Sequence, residues 1–542
     1  MKNNTFSYHL AGFGVVILIA AVLIRVWEIS SQIILGDEWH SINIAASSDF
    51  ISIFTDFFQG SHSTPVALYY HFLLYTNSLN EFFIYLPVAI SGILLLIIGP
   101  VLVRPFFDDR TVLLFMAFLA SAPVLVFYSR YARPYSMVTL LSFVSLVSCY
   151  LWWTKGKQKH GYVYVVSGAL AGYFHIIAFP FVLAPILYIL AYGLLKTDRA
   201  QTKLSWRKIV GPLTTLAIVL AILFGWQVKG ILLASENRVG QADFTFYNVF
   251  SGFEALITGS HNHIIFGVFI ILAFITIYLS RQQEKIRPFF GFLIFPVIFQ
   301  FLFVLVTKPV AGDAPHIFAR YLIMTLPVFL LMVAYALDEL IRTLENKQLQ
   351  TVILSLTMVV ITLNFPWIKF IEAPANSRNT VLLAQMIYGK NFEEKVFENY
   401  LPRTRPFYRE YVKTFENDIS IVETPFNISF YAMPVAQFLH RKNVLAGYWD
   451  SDTMNDFSVY SSVNVKAIRE LKQSINITDP NAFDDRKDYL IIFHKRLNSE
   501  NTVQRKRYAD EVEALLSTVK SIFGDPVYED AFVSVFLQSN DE

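Results

Sequence analysis

The sequence is short of cysteine and of charge. Of its 542 residues one is cysteine, and only 16% are charged. Cys149, set inside an apolar run, excludes an intrachain disulfide and leaves the redox compartment unmarked. Soluble chains of this size carry about a quarter charged residues, so an ordinary soluble domain is excluded. The net charge of +2 is too small to attract nucleic acid, and no patch of interleaved basic and aromatic residues offers a surface for it. Basic charge is missing altogether from residues 29–81, which hold no Lys or Arg.

Apolar length is what the chain has in quantity. It is 54% hydrophobic, with 50 Phe and a mean hydropathy of +0.46. Runs of roughly 18–20 apolar residues recur through the first two-thirds, each long enough to cross a hydrocarbon core as a helix. Eleven crossings are expected, near 8–28, 82–103, 111–128, 135–153, 162–175, 177–195, 209–228, 263–280, 288–307, 321–338 and 351–369. The first is read as a retained helix, because it lacks a small-residue cleavage site. The stretch 162–195 counts as two. "TKGKQKHG" before it and "KTDRAQTKLSWRK" after it are both basic, so both face the cytoplasm and the chain must go out and return. Gly172 and Pro180 suit the break. Connections on that side hold 15 Lys and Arg against 6 on the other. The N-terminus is therefore expected inside, and Asp37, Glu38 and the C-terminus outside.

After Phe370 the composition changes to richly charged. Residues 1–369 are expected to form a transmembrane domain and 370–542 a soluble α/β domain on the outer face. "DISIVET" (418–424) and "DYLIIFHK" (488–495) read as buried strands, and "RYADEVEALLSTVKSIF" (507–523) as an amphipathic helix. "VYEDAFVSVFLQ" (527–538) reads as a closing strand pair.

Four outward stretches hold nearly all the suggestive polar groups. In the first, "GDEWHSINIA" brings Asp37, Glu38 and His40, with His62 further on in "GSHSTPVALYY". The segment "SINIAASSDFISIFTDFF" has the periodicity of a helix lying at the interface. The second, "YSRYARPYS", supplies Arg130, Arg133 and Tyr135. His175 marks the third, at the tight turn, and "GDAPHIFARYLIMTLP" brings Arg320 and Tyr321. A carboxylate facing guanidiniums suits group transfer from an anionic leaving group: the carboxylate takes a proton, and the arginines hold the departing phosphate.

"GDEWHSINIA", "HSTPVALYY", "YSRYARPYSMVTLL" and "ARYLIMTLP" resemble the successive signature stretches of the GT-C superfamily of membrane glycosyltransferases. The resemblance is to the family 39-type enzymes, which include protein O-mannosyltransferases and the lipid A aminoarabinose transferase, and it covers about residues 8–340. It implies a polytopic α-helical GT-C-like fold, and a sugar taken from a polyprenyl-phosphate carrier for a lipid, glycan or protein acceptor at the outer face. It also implies catalysis by an acidic residue of the first outer loop, matched here by Asp37. Arg130, Arg133, Tyr135, Arg320 and Tyr321 are then expected around the donor phosphate, with Glu38 beside the base and His40, His62 and His175 as substrate contacts. The expected location is the bacterial plasma membrane. No cofactor is called for. A divalent cation is left open, since two carboxylates and His40 and His62 are ligand types without ligand spacing.

Plainer readings stand beside these. Asp37 and Glu38 fit the start of a solvated loop, and Arg25, Arg130 and Arg133 fit snorkelling to the interface; for Arg25 snorkelling is the expectation. Trp152 and Trp153 are expected to be lipid-facing or interfacial. In the outer loop 229–262, Glu236, Asp243 and Glu254 are further candidates for substrate contact. The rival function is a flippase or transporter for lipid-linked glycans. Its ionisable groups belong at mid-bilayer, whereas nearly all those here cluster at one interface. The expected orientation has a direct check: alkaline phosphatase fused after Glu542 should be active, and a green fluorescent protein fused there should stay dark.

Overall fold

The computed structural model describes residues 3–34, 36–57, 63–195, 206–364, 367–373, 375, 378–389, 392, 411–415, 419–424, 442, 444–449, 467, 471–472, 474–496 and 502–539. The chain forms two compact units. One comprises Met1–Trp27, Phe54–Val66 and Leu86–Trp367, the other Glu28–Ile53, Ala67–Tyr85 and Ile368–Glu542.

Along the chain, α1 (Asn3–Val26) is followed by α2 (Trp39–Ser47), α3 (Phe50–Thr55) and α4 (Thr64–Tyr75). Then come α5 (Glu81–Val103), α6 (Asp109–Ser121), α7 (Pro123–Tyr128), α8 (Tyr135–Lys155), α9 (Gln158–Phe174) and α10 (Phe179–Leu195). The series continues with α11 (Trp206–Phe224), α12 (Val228–Arg238), α13 (Phe246–Thr258), α14 (His263–Gln282) and α15 (Arg287–Thr307). It closes with α16 (Pro315–Tyr321), α17 (Leu326–Arg342), α18 (Lys347–Asn364), α19 (Trp367–Glu372) and α20 (Arg378–Tyr388).

Every expected crossing falls on a helix. Among the described residues six helices are long and apolar enough to span a membrane, and α11 with α12, bent by 74°, makes a seventh candidate. The protein is an integral membrane protein. The other four expected crossings fall on α6–α7, α9, α10 and α18, of which α9 and α10 have 17 residues each.

In the first unit α8 is the central helix, with α9, α10, α15 and α17 packed around it. Small side chains let the neighbours approach, as in membrane bundles generally. Ser145 donates to the Tyr164 carbonyl of α9 at 3.1 Å. At the α9–α10 hairpin, a Cβ on Gly172 would stand 2.5 Å from the Phe179 ring. That enclosure corrects the expectation for the tryptophans. Trp152 and Trp153 are buried, the first stacked on Tyr164 and the second on Phe292, because α8 meets protein on these sides rather than lipid.

The span 111–128 is interrupted at Pro123, and this explains a second correction. Proline has no N–H, so the Leu119 carbonyl four residues earlier loses its helical donor. Arg25 supplies the replacement. Its Nη2 donates to Leu119 at 3.0 Å and its Nη1 to Ala120 at 3.2 Å and Ala21 at 3.0 Å. Arg25 is only 1% exposed, so it is a buried strut between α1 and α6 and does not snorkel. Arg130 acts likewise at the end of α1, donating to Ile24 at 2.9 Å and Arg25 at 3.2 Å. Helix ends leave carbonyls without partners, and here guanidiniums meet them.

At another junction, buried Asp338 of α17 accepts from Thr111 at 2.6 Å and pairs with Arg110 at 3.3 Å and Arg342 at 2.8 Å. Arg110 continues to Gln350 of α18 at 3.0 Å. One carboxylate thus ties α6 to α17, and Arg110 carries the link on to α18.

The second unit is built on a six-stranded sheet of order β3-β2-β1-β4-β6-β5. Its strands are β1 (Ser420–Thr424), β2 (Val444–Tyr448), β3 (Ser474–Asn476), β4 (Tyr489–His494), β5 (Tyr528–Glu529) and β6 (Val533–Gln538). The first four run parallel, and β6 pairs antiparallel with β4 and β5. The two strands expected at 418–424 and 488–495 are β1 and β4, and 527–538 gives the closing pair. The expected helix is α21 (Thr502–Phe523), which starts five residues earlier than its apolar periodicity suggests. Leu515, Leu516 and Val519 of α21 pack with Val422, Ile491, Phe493 and Phe536 of the sheet.

Removing one partner of a buried ionic network leaves the others desolvated and unpaired. Asp338→Ala should therefore cost about 3–5 kcal/mol, read as a lowered unfolding temperature in detergent. Glu511→Ala, at an exposed i,i+4 pair with Arg507, should change stability by only about 0.3–0.5 kcal/mol.

Candidate functional site

In the first unit the groups from three of the sequence stretches come together. Tyr135 opens α8, His175 occupies the extended turn between α9 and α10, and Arg320 with Tyr321 ends α16. Proline explains two of these placements. Pro134 immediately precedes α8 and Pro315 stands at the first position of α16, where its fixed φ suits a helix start.

His175 is held by both ring nitrogens. Its Nδ1 accepts from the Ile177 N–H at 3.3 Å, which leaves the proton of the neutral ring on Nε2. That nitrogen lies 3.3 Å from the Tyr135 hydroxyl, to which it then donates. Arg320 lies over the Tyr135 ring, 5.4 Å from its centroid, and 5.7 Å from that of Tyr321, both within cation–π range. The Tyr321 hydroxyl donates to Val310 at 3.0 Å. At the turn, outside both helices, loss of solvation and then the charges of Arg133 and Arg320 push His175 down to about 3. Two guanidiniums therefore act on one neutral imidazole. Guanidiniums are side chains that meet a phosphate with bidentate hydrogen bonds.

Arg130 is fully buried and binds the end of α1, as described above. Arg133, two residues before Tyr135, is buried as well.

The second unit holds Asp37, Glu38 and His40, and they differ. Glu38 is 1% exposed and accepts from the Tyr85 hydroxyl at 3.5 Å, while that hydroxyl also donates to the Ile33 carbonyl at 3.2 Å. Asp37 is partly open, 22% exposed, with His40 Nε2 at 3.6 Å from its Oδ1. One carboxylate is built in and the other is reachable. The segment expected to be helical is so, as α2 and α3. His62 lies outside the described residues.

Other candidates resolve differently. Glu254, fully buried on α13, is paired through one oxygen with His263 Nδ1 at 2.7 Å and through the other with His261 Nδ1 at 3.4 Å. Among the described residues, no group of three or more His, Cys, Asp or Glu is arranged to hold a metal ion. One participant in the cluster escaped the sequence reading. Gln300 of α15, 0% exposed, donates through Nε2 to the carbonyls of Ile177 and Tyr321, each at 3.1 Å. The signal was present, since Gln300 is the one polar side chain between Arg287 and Thr307.

The two carboxylates should separate in stability measurements. Glu38→Ala empties a buried position and removes one of the two acceptors around the Tyr85 hydroxyl, and should cost about 1–3 kcal/mol, whereas Asp37→Asn should stay within about 0.5 kcal/mol of wild type. Thermal unfolding of both variants checks the difference.

No protein-family profile matches the chain, and no curated protein does. Among solved structures, the chain is similar to ArnT from Cupriavidus metallidurans in the apo state, with 12% identity, a TM-score of 0.45 and 98% of each chain covered. It is also similar to the same protein bound to undecaprenyl phosphate, with 12% identity, a TM-score of 0.44, and 97% of this chain and 98% of that one covered. A third similarity is to an oligosaccharyltransferase from Archaeoglobus fulgidus, with 13% identity, a TM-score of 0.38, and 81% of this chain and 64% of that one covered.

Proposed function

We propose that this protein is a membrane glycosyltransferase that moves a sugar from a polyprenyl-phosphate carrier to a hydroxyl at the outer face of the membrane. The observation that carries the reading is the cluster around His175, where Arg133 and Arg320 act on one neutral imidazole beside the Tyr135 hydroxyl. A site for a phosphate leaving group needs this kind of positive, preorganised environment. The four sequence stretches resembling GT-C signatures support the same reading. They also supply its donor, because nucleotide sugars stay in the cytoplasm and an outward site needs a sugar already carried across on a lipid.

The proposed reaction is a single inverting displacement. Asp37 removes the acceptor proton, the hydroxyl oxygen attacks the anomeric carbon, and the bond from that carbon to the phosphate oxygen breaks. Arg133 and Arg320 balance the charge that grows on the phosphate, with Arg130, Tyr135 and Tyr321 at the same donor group. A glycosidase needs a second carboxylic acid to protonate its departing alkoxide. A polyprenyl phosphate leaves as a stable anion, so cations suffice. The partial exposure of Asp37, against the burial of Glu38, favours Asp37 as the base. Glu38 then holds the loop, and His40, His62 and His175 are the proposed contacts to donor or acceptor. The acceptor is a lipid, a glycan or a protein. The proposed setting is the bacterial plasma membrane, with the N-terminus cytoplasmic and residues 370–542 extracytoplasmic.

Transfer from a radiolabelled polyprenyl-phosphate sugar to cell-envelope material tests these roles. Asp37→Asn should lower the rate by about 10²–10⁴-fold. Arg133→Ala and Arg320→Ala should each remove about 2–4 kcal/mol of transition-state stabilisation. Wild-type rates in Asp37→Asn would reject it as the base. Retained transport with no covalent transfer would favour the flippase.

A further inference from the structure

Gln300 stands alone in "RPFFGFLIFPVIFQFLFVLVT", a 21-residue apolar helix. A polar side chain inside a spanning helix is expensive and is a functional candidate by default. Its amide nitrogen makes two hydrogen bonds, to Ile177 and to Tyr321, each 3.1 Å long. Among the described residues its buried amide oxygen has no hydrogen-bond partner, and an unsatisfied acceptor costs about 1–3 kcal/mol. An apolar residue of similar volume would avoid that cost but would take this donor from the Ile177 and Tyr321 carbonyls, so what the glutamine supplies is the link between them.

The two carbonyls it binds belong to the two segments that carry the phosphate-site groups. Ile177 follows His175 in the turn and donates its own N–H to His175 Nδ1. Tyr321 follows Arg320 and ends α16. The contacts close a ring: Gln300 to Ile177, Ile177 to His175, His175 to Tyr135, Tyr135 to Arg320, and the Arg320–Tyr321 segment back to Gln300. Its five other members lie outside α15, and without Gln300 the His175 turn and the Arg320 segment stay joined in this ring only through Tyr135.

We infer that Gln300 is a positioning residue for the phosphate site, a double clamp that fixes Arg320 relative to the His175–Tyr135 pair. It acts through Arg320 and does not touch the reacting atoms. The inference rests on the proposed role of Arg320 in holding donor phosphate.

The test is a double-mutant cycle on the full chain in lipid nanodiscs, with undecaprenyl phosphate as the probe and its dissociation constant as the readout. Gln300→Met removes both donors at nearly constant volume. Gln300→Met and Arg320→Ala should each weaken binding about tenfold, and the double variant should be no weaker than Arg320→Ala, since coupled residues are non-additive. A merely structural glutamine would give multiplied losses in the double variant, or no loss in Gln300→Met, and either result overturns the clamp while leaving Arg320 in place. Unchanged binding in Arg320→Ala would instead reject the phosphate reading itself. Should Gln300→Met fail to fold, Gln300→Asn takes its place in the same cycle; its amide is one carbon shorter and cannot span both carbonyls.

Discussion

The first unit depends on one constraint: a polar backbone group inside an apolar bundle must find a partner there, because water does not reach it. Pro123 breaks the helix begun at Asp109 and frees the carbonyls of Leu119 and Ala120. The end of α1 frees those of Ile24 and Arg25. Arg25 and Arg130 answer both sets, at distances of 2.9–3.2 Å. Each guanidinium carries five donors in a fixed fork, so one buried side chain bridges two helices. Lysine, with its compact ammonium, would not reach two carbonyls with the same geometry.

The same economy shapes the candidate site. His175, Tyr135, Arg320 and Gln300 satisfy one another through side chains and through the carbonyls and amides of adjacent turns. Such a network is rigid because each member has few alternatives in an apolar surround. Rigidity is useful for binding phosphate, where donors must be aimed before the ligand arrives. Glu254 with His261 and His263, and Asp338 with Arg110 and Arg342, are built on the same principle at other helix ends.

Several elements were legible in the sequence because they follow from local period and composition. The apolar runs gave all eleven helical positions, and the turn at His175 followed from basic flanks on both sides of 162–195. Strands β1 and β4 were visible as short apolar runs bounded by charged residues, and α2 and α3 as helical periodicity in the first long loop. What failed was side-chain environment. Arg25 and the pair Trp152 and Trp153 carry the residue types of an interface, yet they face protein, since periodicity within one helix does not reveal which neighbours enclose it. Glu38 and Asp37 are adjacent and chemically alike, and tertiary packing, with Tyr85 from 47 residues away among the partners of Glu38, separates a buried carboxylate from an open one.

By itself, then, the sequence determined that this chain lives in a membrane and where its helices run. Those properties are sums over neighbouring residues, and hydrophobic transfer acts on such sums. Only the tertiary structure decided which carbonyls the buried guanidiniums would meet and that a single glutamine would join the turn of His175 to the helix of Arg320. Hydrogen bonds are short-ranged and directional, so their partners exist only once distant segments have been packed side by side.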